Sequence, residues 1–579
     1  GALSGTTIDG GFSVNGAASG NTATVGGISF AGVVTGGRGG AGADTNKVFL
    51  KNSAGITGNA YGGRVLSGGN VTGNELTIEA SGATVSGVAV GGQNDVAAGD
   101  VTDNKAYMNA GSAARLIGGV VNGVGATGKA SGNRAEVSNG SSAFIAGALI
   151  SDTGATGEAS DNHAVVSGAN APLGSIYGGI TNGTGAAKDN TATISGSITA
   201  NDVVGGQSVT GNAEGNKASF TQATVTNVRG ARITGSGTGS AINNEATIAG
   251  GWVTGAAAGA EIQGAATGAV QDNTLTVTGG TVSGDSYGGI TSGTGDAVGN
   301  GVVVSGGSTS LNDVYGGSSA GGNAKKNYVT YSEATAVNLT GGRAQSGAGA
   351  VSDNKVEMTG GSVTNDVTGG LSYGSGTVEK NEVKISGGTV GGTILGGQNI
   401  GTGAASSNIV ELTGGTINAA VYGGWANSGV ADSNKVTVKK DVTGNIFGGN
   451  ASGSASGNTV DLVGTVTVSG SVVGGQGSTA NNNTVNLGAA SVSSAVTGGS
   501  GSATSKNTVN MDGSTVGGVI TVGSGGGTGN TLTVKGTNSA GNITGFQKVS
   551  FDLSTASTTN PMLDITNSGT TSFDWGALE

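Results

Sequence analysis

The chain has 579 residues, of which 123 are Gly, 2 are Pro and none is Cys, and its 24 basic and 35 acidic side chains leave a net charge of −11. Absence of Cys excludes a disulfide framework and, with a single His, a structural zinc site. The acidic balance opposes nucleic acid and anionic membrane surfaces as partners, and no apolar run reaches the roughly 20 residues a membrane helix needs. No basic start followed by an apolar stretch marks a signal peptide, so the chain as written reads as a mature secreted segment or a soluble protein.

Residues 1–20 read as an N-terminal partial repeat or cap. From 21 to 540 an asparagine returns every 23 to 30 residues, twenty times, from Asn21 and Asn46 through Asn273, Asn300, Asn327, Asn354, Asn381, Asn408 and Asn434 to Asn530. Each anchor opens a segment of period 2, such as Glu382-Val383-Lys384-Ile385, which predicts a strand with one buried face. Gly and Ser at this level would suit a flexible tract, but such a tract would not keep its apolar phase over twenty copies. A unit of this size cannot bury its apolar face alone, so the units must stack. The expected fold is all-β, a single-stranded right-handed parallel β-helix of about 20 rungs, on the order of 95 Å long at ~4.8 Å per rung.

Each repeat reads as three sides. The anchor strand comes first; a second strand follows a Gly pair, as at Gly414-Gly415; a third side follows another pair, as at Gly423-Gly424. Both pairs are expected to be corners, because Gly tolerates positive φ. The Asn column is expected to be an internal amide ladder rather than a ligand site. Aromatics before the second pair, at Tyr61, Tyr177, Tyr287, Tyr315, Tyr422 and Phe447, alternate with aliphatics such as Val90, Ile117 and Leu395, which reads as core stacking, with a carbohydrate platform as the alternative. Small inward residues and long repeats toward the N-terminus give way to Val and shorter repeats, so the C-terminal half is expected to be the stable end.

Motifs that resemble catalytic sites lack their partners. Gly284-Asp285-Ser286-Tyr287-Gly288 looks like the nucleophile region of a trypsin-like protease, but the lone His163 lies at an outward anchor position. Gly317 to Gly321 fits a nucleophile elbow only by composition, and Gly123 to Lys129 has Ala130 where a phosphate loop needs Ser or Thr. Gly39 to Asp44 is one copy of a calcium motif that works in tandem. No catalytic residue, metal ligand or cofactor is assigned. The least regular stretch, 216–273, reads as an insertion loop or a local binding patch, with Arg229, Arg232 and Trp252 as binding candidates beside Glu261; Trp425 is a further candidate.

The pattern Asn-x-Val-x-Ile-x-Gly-Gly followed by Val-Tyr-Gly-Gly resembles the passenger repeats of bacterial autotransporters, the type V secreted adhesins of Gram-negative bacteria, over about residues 20 to 579. The segment 541–579, rich in large apolar residues (Phe546, Phe551, Met562, Phe573, Trp575), resembles the cap and junction that precede a translocator barrel in such proteins. The resemblance implies a non-enzymatic, cell-surface adhesin or stalk, anchored in an outer membrane through a barrel this chain lacks. Its partners would be a host or bacterial surface protein or glycan, with self-association. Two other readings are a self-assembling extracellular filament, marked by contacts repeated between chains, and a glycan-active β-helix enzyme, marked by a carboxylate cluster in one groove.

Overall fold

In a computed structural model, which describes residues 2–567 apart from 524 and 526, and side chains from residue 5 onward, the chain is an all-β parallel β-solenoid of about 21 turns. The one helix among the described residues is a 3₁₀ turn, Leu553–Thr555. The chain divides into two compact units, 1–296 and 297–579.

Within each unit one coil is built from an anchor strand, a short second strand, a longer third strand and a two-residue fourth. In the second unit the coil at Asn381 runs Glu382–Ile385, Thr389–Val390, Ile394–Asn399 and Ala405–Ser406. Each strand pairs in parallel with its counterpart one coil on, as Glu382↔Ile409, Thr389↔Thr416 and Ile394↔Val421. Anchor side chains alternate as period 2 requires: Val383 and Ile385 are fully buried, whereas Glu382 and Lys384 face out. In the first unit the same inward positions hold Ala106 and Met108, Ala135 and Val137, and Ala164 and Val166. After Ala405–Ser406 the fourth strand gives way to single bridges, Ser454↔Thr479 and Thr479↔Ala503, as the coils shorten.

The asparagine column is a ladder. Asn381 donates its backbone N–H (3.1 Å) and an Nδ2–H (2.9 Å) to Oδ1 of Asn408, while its own Oδ1 accepts the same two bonds from Asn354. The second Nδ2–H goes to the carbonyl of Val351, on the fourth strand of the coil at Asn327, at 3.0 Å. Asn300, Asn327, Asn354, Asn408 and Asn434 repeat the link to the next amide, and Asn244 donates to Asn273. All seven predicted members are buried. At the C-terminal end Asn530 donates to Oε1 of Gln547 instead, with N–H and Nδ2–H both at 3.0 Å. A longer amide thus occupies the ladder position of the last coil, and parallel pairing continues past it through Lys548–Asp552 and Leu563–Ile565.

The residue before every anchor turns the chain through the left-handed region, with φ between 51° and 74° at all twenty positions. Fourteen of the twenty are Gly, Asp or Asn, the types that tolerate this region best; the others include Lys326, Lys380 and Lys506. This corner was not identified in the sequence. The first Gly pair is the expected corner, with Gly388 at φ 86° and Gly415 at φ 83°. The second pair is not. Gly396-Gly397 lies inside the strand Ile394–Asn399 and keeps negative or extended φ. The reason for Gly there is close approach: a Cβ on Gly62 would sit 2.4 Å from the carbonyl oxygen of Gly91 and 2.7 Å from the backbone of Glu75. That position is Gly in the coils from Asn21 to Asn483 and Val522 in the coil at Asn507, whereas the next one is Ala at 148, 231 and 260.

The stretch 216–273 is not an insertion. Thr224–Ile233 pairs in register with Thr199–Ser208 before it and with Ala257–Ile262 after it, so the altered Gly pair changes side chains and leaves the coil intact.

Candidate functional site

Where the third strand presses its Gly pair against the anchor strand, the inward phase slips by one residue: Ala60 and Val65 both point in and are fully buried. Tyr61 and Arg64, on either side of the pair, therefore both face out and converge, the guanidinium lying 4.8 Å over the Tyr61 ring. Repeated coil by coil, this makes a crease along the outer face of the third strands in each unit. The aromatic column lines its floor. The column is thus a packing site, as read from the sequence, but on the outer side of the strand rather than in the inward core.

In the first unit Tyr61, Val90, Ile117, Val120, Leu149, Tyr177 and Ile180 form an outer apolar cluster with Val88 and Phe144 at its margin. Burial pushes the Tyr61 hydroxyl above its ordinary range, against the pull of Arg64. Six of the chain's seven arginines lie in the crease, at 38, 64, 115, 229, 232 and 343, and no lysine does. A planar, weakly hydrated guanidinium can stack on a ring where an ammonium would stay hydrated. Arg38 lies over Phe12, Arg115 over Phe144 and, in the second unit, Arg343 over Tyr315.

Two of the predicted binding residues fall in this crease and are spent on it. Arg232 donates to Asp202 (3.0 Å), to Gln207 (2.9 Å) and to the Tyr177 hydroxyl (2.9 Å). Arg229 is buried and its Nε donates to the carboxylate of Glu261 on the next coil. Asp202 also accepts from Asn227 at 2.8 Å. The result is a cross-coil network of two cations and two anions. Trp252 is elsewhere, at the second-strand position, half exposed, with Nε1–H donating to Ser283 at 2.8 Å. The structure does not bring it to the two arginines.

Trp425 lies in the crease of the second unit, one coil from Gln398 on one side and Asn450 on the other. Tyr422 and Phe447 stack beside it on adjacent coils, ring centroids 4.8 Å apart and planes within 4°. Sequence reading named Trp425 but set Tyr422 and Phe447 inside the core; the Gly pair that shifts the phase was the available signal.

The protease-like motif is split by the strand. Ser286 points inward and is fully buried, while Asp285 faces out and accepts the Tyr287 hydroxyl at 2.8 Å. His163 is half-buried on the anchor face between Arg134 and Thr191; burial and the Arg134 charge lower its pKa. On the anchor faces, Lys47–Glu75 (3.6 Å), Lys217–Glu245 (3.4 Å) and Lys439–Glu411 (3.0 Å) pair across coils at exposed positions, worth a few tenths of a kcal/mol each. Among the described residues no group of three or more His, Asp or Glu could hold a metal. No protein-family profile, curated protein or solved structure matches the chain.

Proposed function

We propose that the chain is a non-enzymatic, surface-displayed adhesin or stalk of a bacterial cell, presenting its crease to a protein or glycan on a host or neighbouring cell. The observation that carries this reading is the crease itself: a stacked scaffold that repeats from coil to coil while the outward side chains of its third strands change from Arg–Asp networks to aromatic rings. Recognition placed on a rigid scaffold needs little ordering on binding. The carboxylates that a glycan-cleaving site would need, Asp202 and Glu261, are tied into arginine pairs, which favours binding over cleavage. Attachment of the intact protein through an outer-membrane anchor follows from the repeat resemblance.

The test is adhesion by the purified chain. Beads carrying it should adhere to epithelial or bacterial cells well above beads carrying albumin, and soluble chain should compete. Adhesion no better than albumin across both cell types would sink the reading. Concentration-dependent growth of fibres in its place would favour the filament.

A further inference from the structure

We infer that the crease around Trp425 is a binding site for a neutral glycan. The inference names a ligand class for the proposed adhesin and rests on that reading.

Elsewhere in the crease the tyrosine hydroxyls are bonded within the chain. Tyr61 accepts from Asn59 (2.8 Å), Arg64 binds Asp95 (2.7 Å), Tyr177 accepts from Arg232, and Tyr315 donates to Asp313 (3.1 Å). At the coils of Asn381, Asn408 and Asn434 the situation reverses. The Trp425 Nε1–H, the Tyr422 hydroxyl and the amides of Gln398 and Asn450 have no hydrogen-bond partner among the described residues, although all four side chains are only partly buried and point outward. Their donors and acceptors are free to bond away from the chain.

The rings are similarly placed. Tyr422, Phe447 and Trp425 are each partly exposed on the same outer face, so an apolar platform of three rings is fringed by two amides. No Asp, Glu, Lys or Arg occupies a crease position from Thr393 to Gln476. A neutral sugar matches this set: its C–H face packs on aromatic rings, and its hydroxyls both donate to and accept from amide groups. A polyanion would find no cation here, and an acidic or basic peptide no counter-charge.

The parallel stacking adds a direction. Equivalent groups recur every coil, about 4.8 Å apart, so an extended oligosaccharide laid along the crease would meet Gln398, Trp425 and Asn450 in turn.

The test uses the full chain with Trp252→Phe and Trp575→Phe, which leaves Trp425 as its only tryptophan. Emission is titrated with hexaoses of β-1,4-linked glucose and N-acetylglucosamine and with mannan oligosaccharides, with polygalacturonate as the anionic counterpart; an immobilised neutral-glycan array widens the panel. At least one neutral glycan should give a saturable change, and polygalacturonate should bind at least about tenfold more weakly. Trp425→Ala, read by calorimetry, should weaken binding about tenfold or more, the loss expected of an aromatic anchor. If Trp425→Ala does not fold, Gln398→Ala/Asn450→Ala takes its place with the same expectation. No neutral glycan bound across the panel, tighter binding of polygalacturonate, or unchanged affinity in these variants would overturn the inference. Bead adhesion separates the two proposals: adhesion that survives Trp425→Ala and Gln398→Ala/Asn450→Ala keeps the adhesin and removes this site, whereas beads that never adhere remove the adhesin itself.

Discussion

Replacing Asn381 by Ala tests whether the ladder holds the coils together. The substitution removes an acceptor that takes two bonds from Asn354 and a donor amide that makes two, to Asn408 and Val351. Asn354 can keep one Nδ2–H on the carbonyl of Ala324 at 2.9 Å, so its backbone N–H and its other amide proton lose their partner. Both groups sit on a residue with no exposed surface, where water cannot replace the lost acceptor. At ~1–3 kcal/mol for each unsatisfied buried group, partly recovered by relaxation, the expected loss is about 3 kcal/mol. Glu382→Ala, one residue on but outward, should cost less than about 0.5 kcal/mol. The end of the ladder gives a second control: Asn21 donates to Asn46, no described residue donates to the Asn21 side chain, and Asn21→Ala should cost about 1 kcal/mol. Hydrogen exchange with mass-spectrometric readout measures this locally, which matters in a chain with two compact units where a single unfolding free energy is ill defined. Protection should fall in the coils of Asn354, Asn381 and Asn408. An equal loss at positions 381 and 382 would refute the reasoning.

Further outcomes are expected. Gly62→Ala should prevent stable folding of its unit, since a Cβ would meet backbone on two sides, whereas Gly63→Ala should cost about 1 kcal/mol, as other coils carry Ala there beside an intact ladder asparagine; solubility and thermal melts of the pair check this. Lys380→Gly should stabilise by about 0.5 kcal/mol, because relief of a left-handed residue outweighs the added freedom of the unfolded chain, and Lys380→Val should destabilise by more than about 1 kcal/mol, both read by chemical denaturation. His163, whose pKa is lowered in the folded state from an ordinary value of 6.5, takes up protons more readily when unfolded. Its contribution is therefore intact above about pH 6.5 and falls as the pH drops through that value, and His163→Gln should flatten the pH dependence of melting in that window.

The repeat, the parallel strands and the amide ladder were legible because they depend on residue type at fixed spacing. Val383 and Ile385 announce an inward face by period alone, and an Asn that returns in every coil has few physical uses besides stacking. Two features were not legible, for different reasons. The left-handed corner is spread over Gly, Asp, Asn, Lys, Ser and Thr, so no single letter marks it, although the excess of Gly, Asp and Asn before the anchor was a usable sign. The crease was hidden because Gly-Gly has two explanations, a turn that needs positive φ and a strand that needs no side chain, and only the packing of Gly62 on Glu75 decides between them. Once the phase slips there, Tyr422 and Phe447 move from inside to outside. Arg229 and Arg232 drew attention as charged residues in an irregular repeat; in three dimensions their charges are consumed by Asp202 and Glu261. Trp252 and Trp425 looked alike in sequence and differ in surroundings: Ser283 satisfies one indole N–H and no described residue satisfies the other.

Each amide of the ladder gives its hydrogens to the asparagine that follows it in sequence and offers its oxygen to the one that precedes it, so within each unit the column has a head and a tail, like a polymer whose monomers all join the same way round. Such a polymer has a unit of growth. Inserting or removing one whole coil of 23 to 30 residues leaves every donor facing an acceptor, whereas a few residues gained or lost within a coil change its girth and not the number of rungs, as the spread of spacings along an unbroken ladder shows. Length can therefore drift only in steps, and each step moves everything beyond it by one rung without altering the chemistry of any coil. A surface protein built this way can change its reach by recombination between its own repeats while the crease of every remaining coil stays as it was.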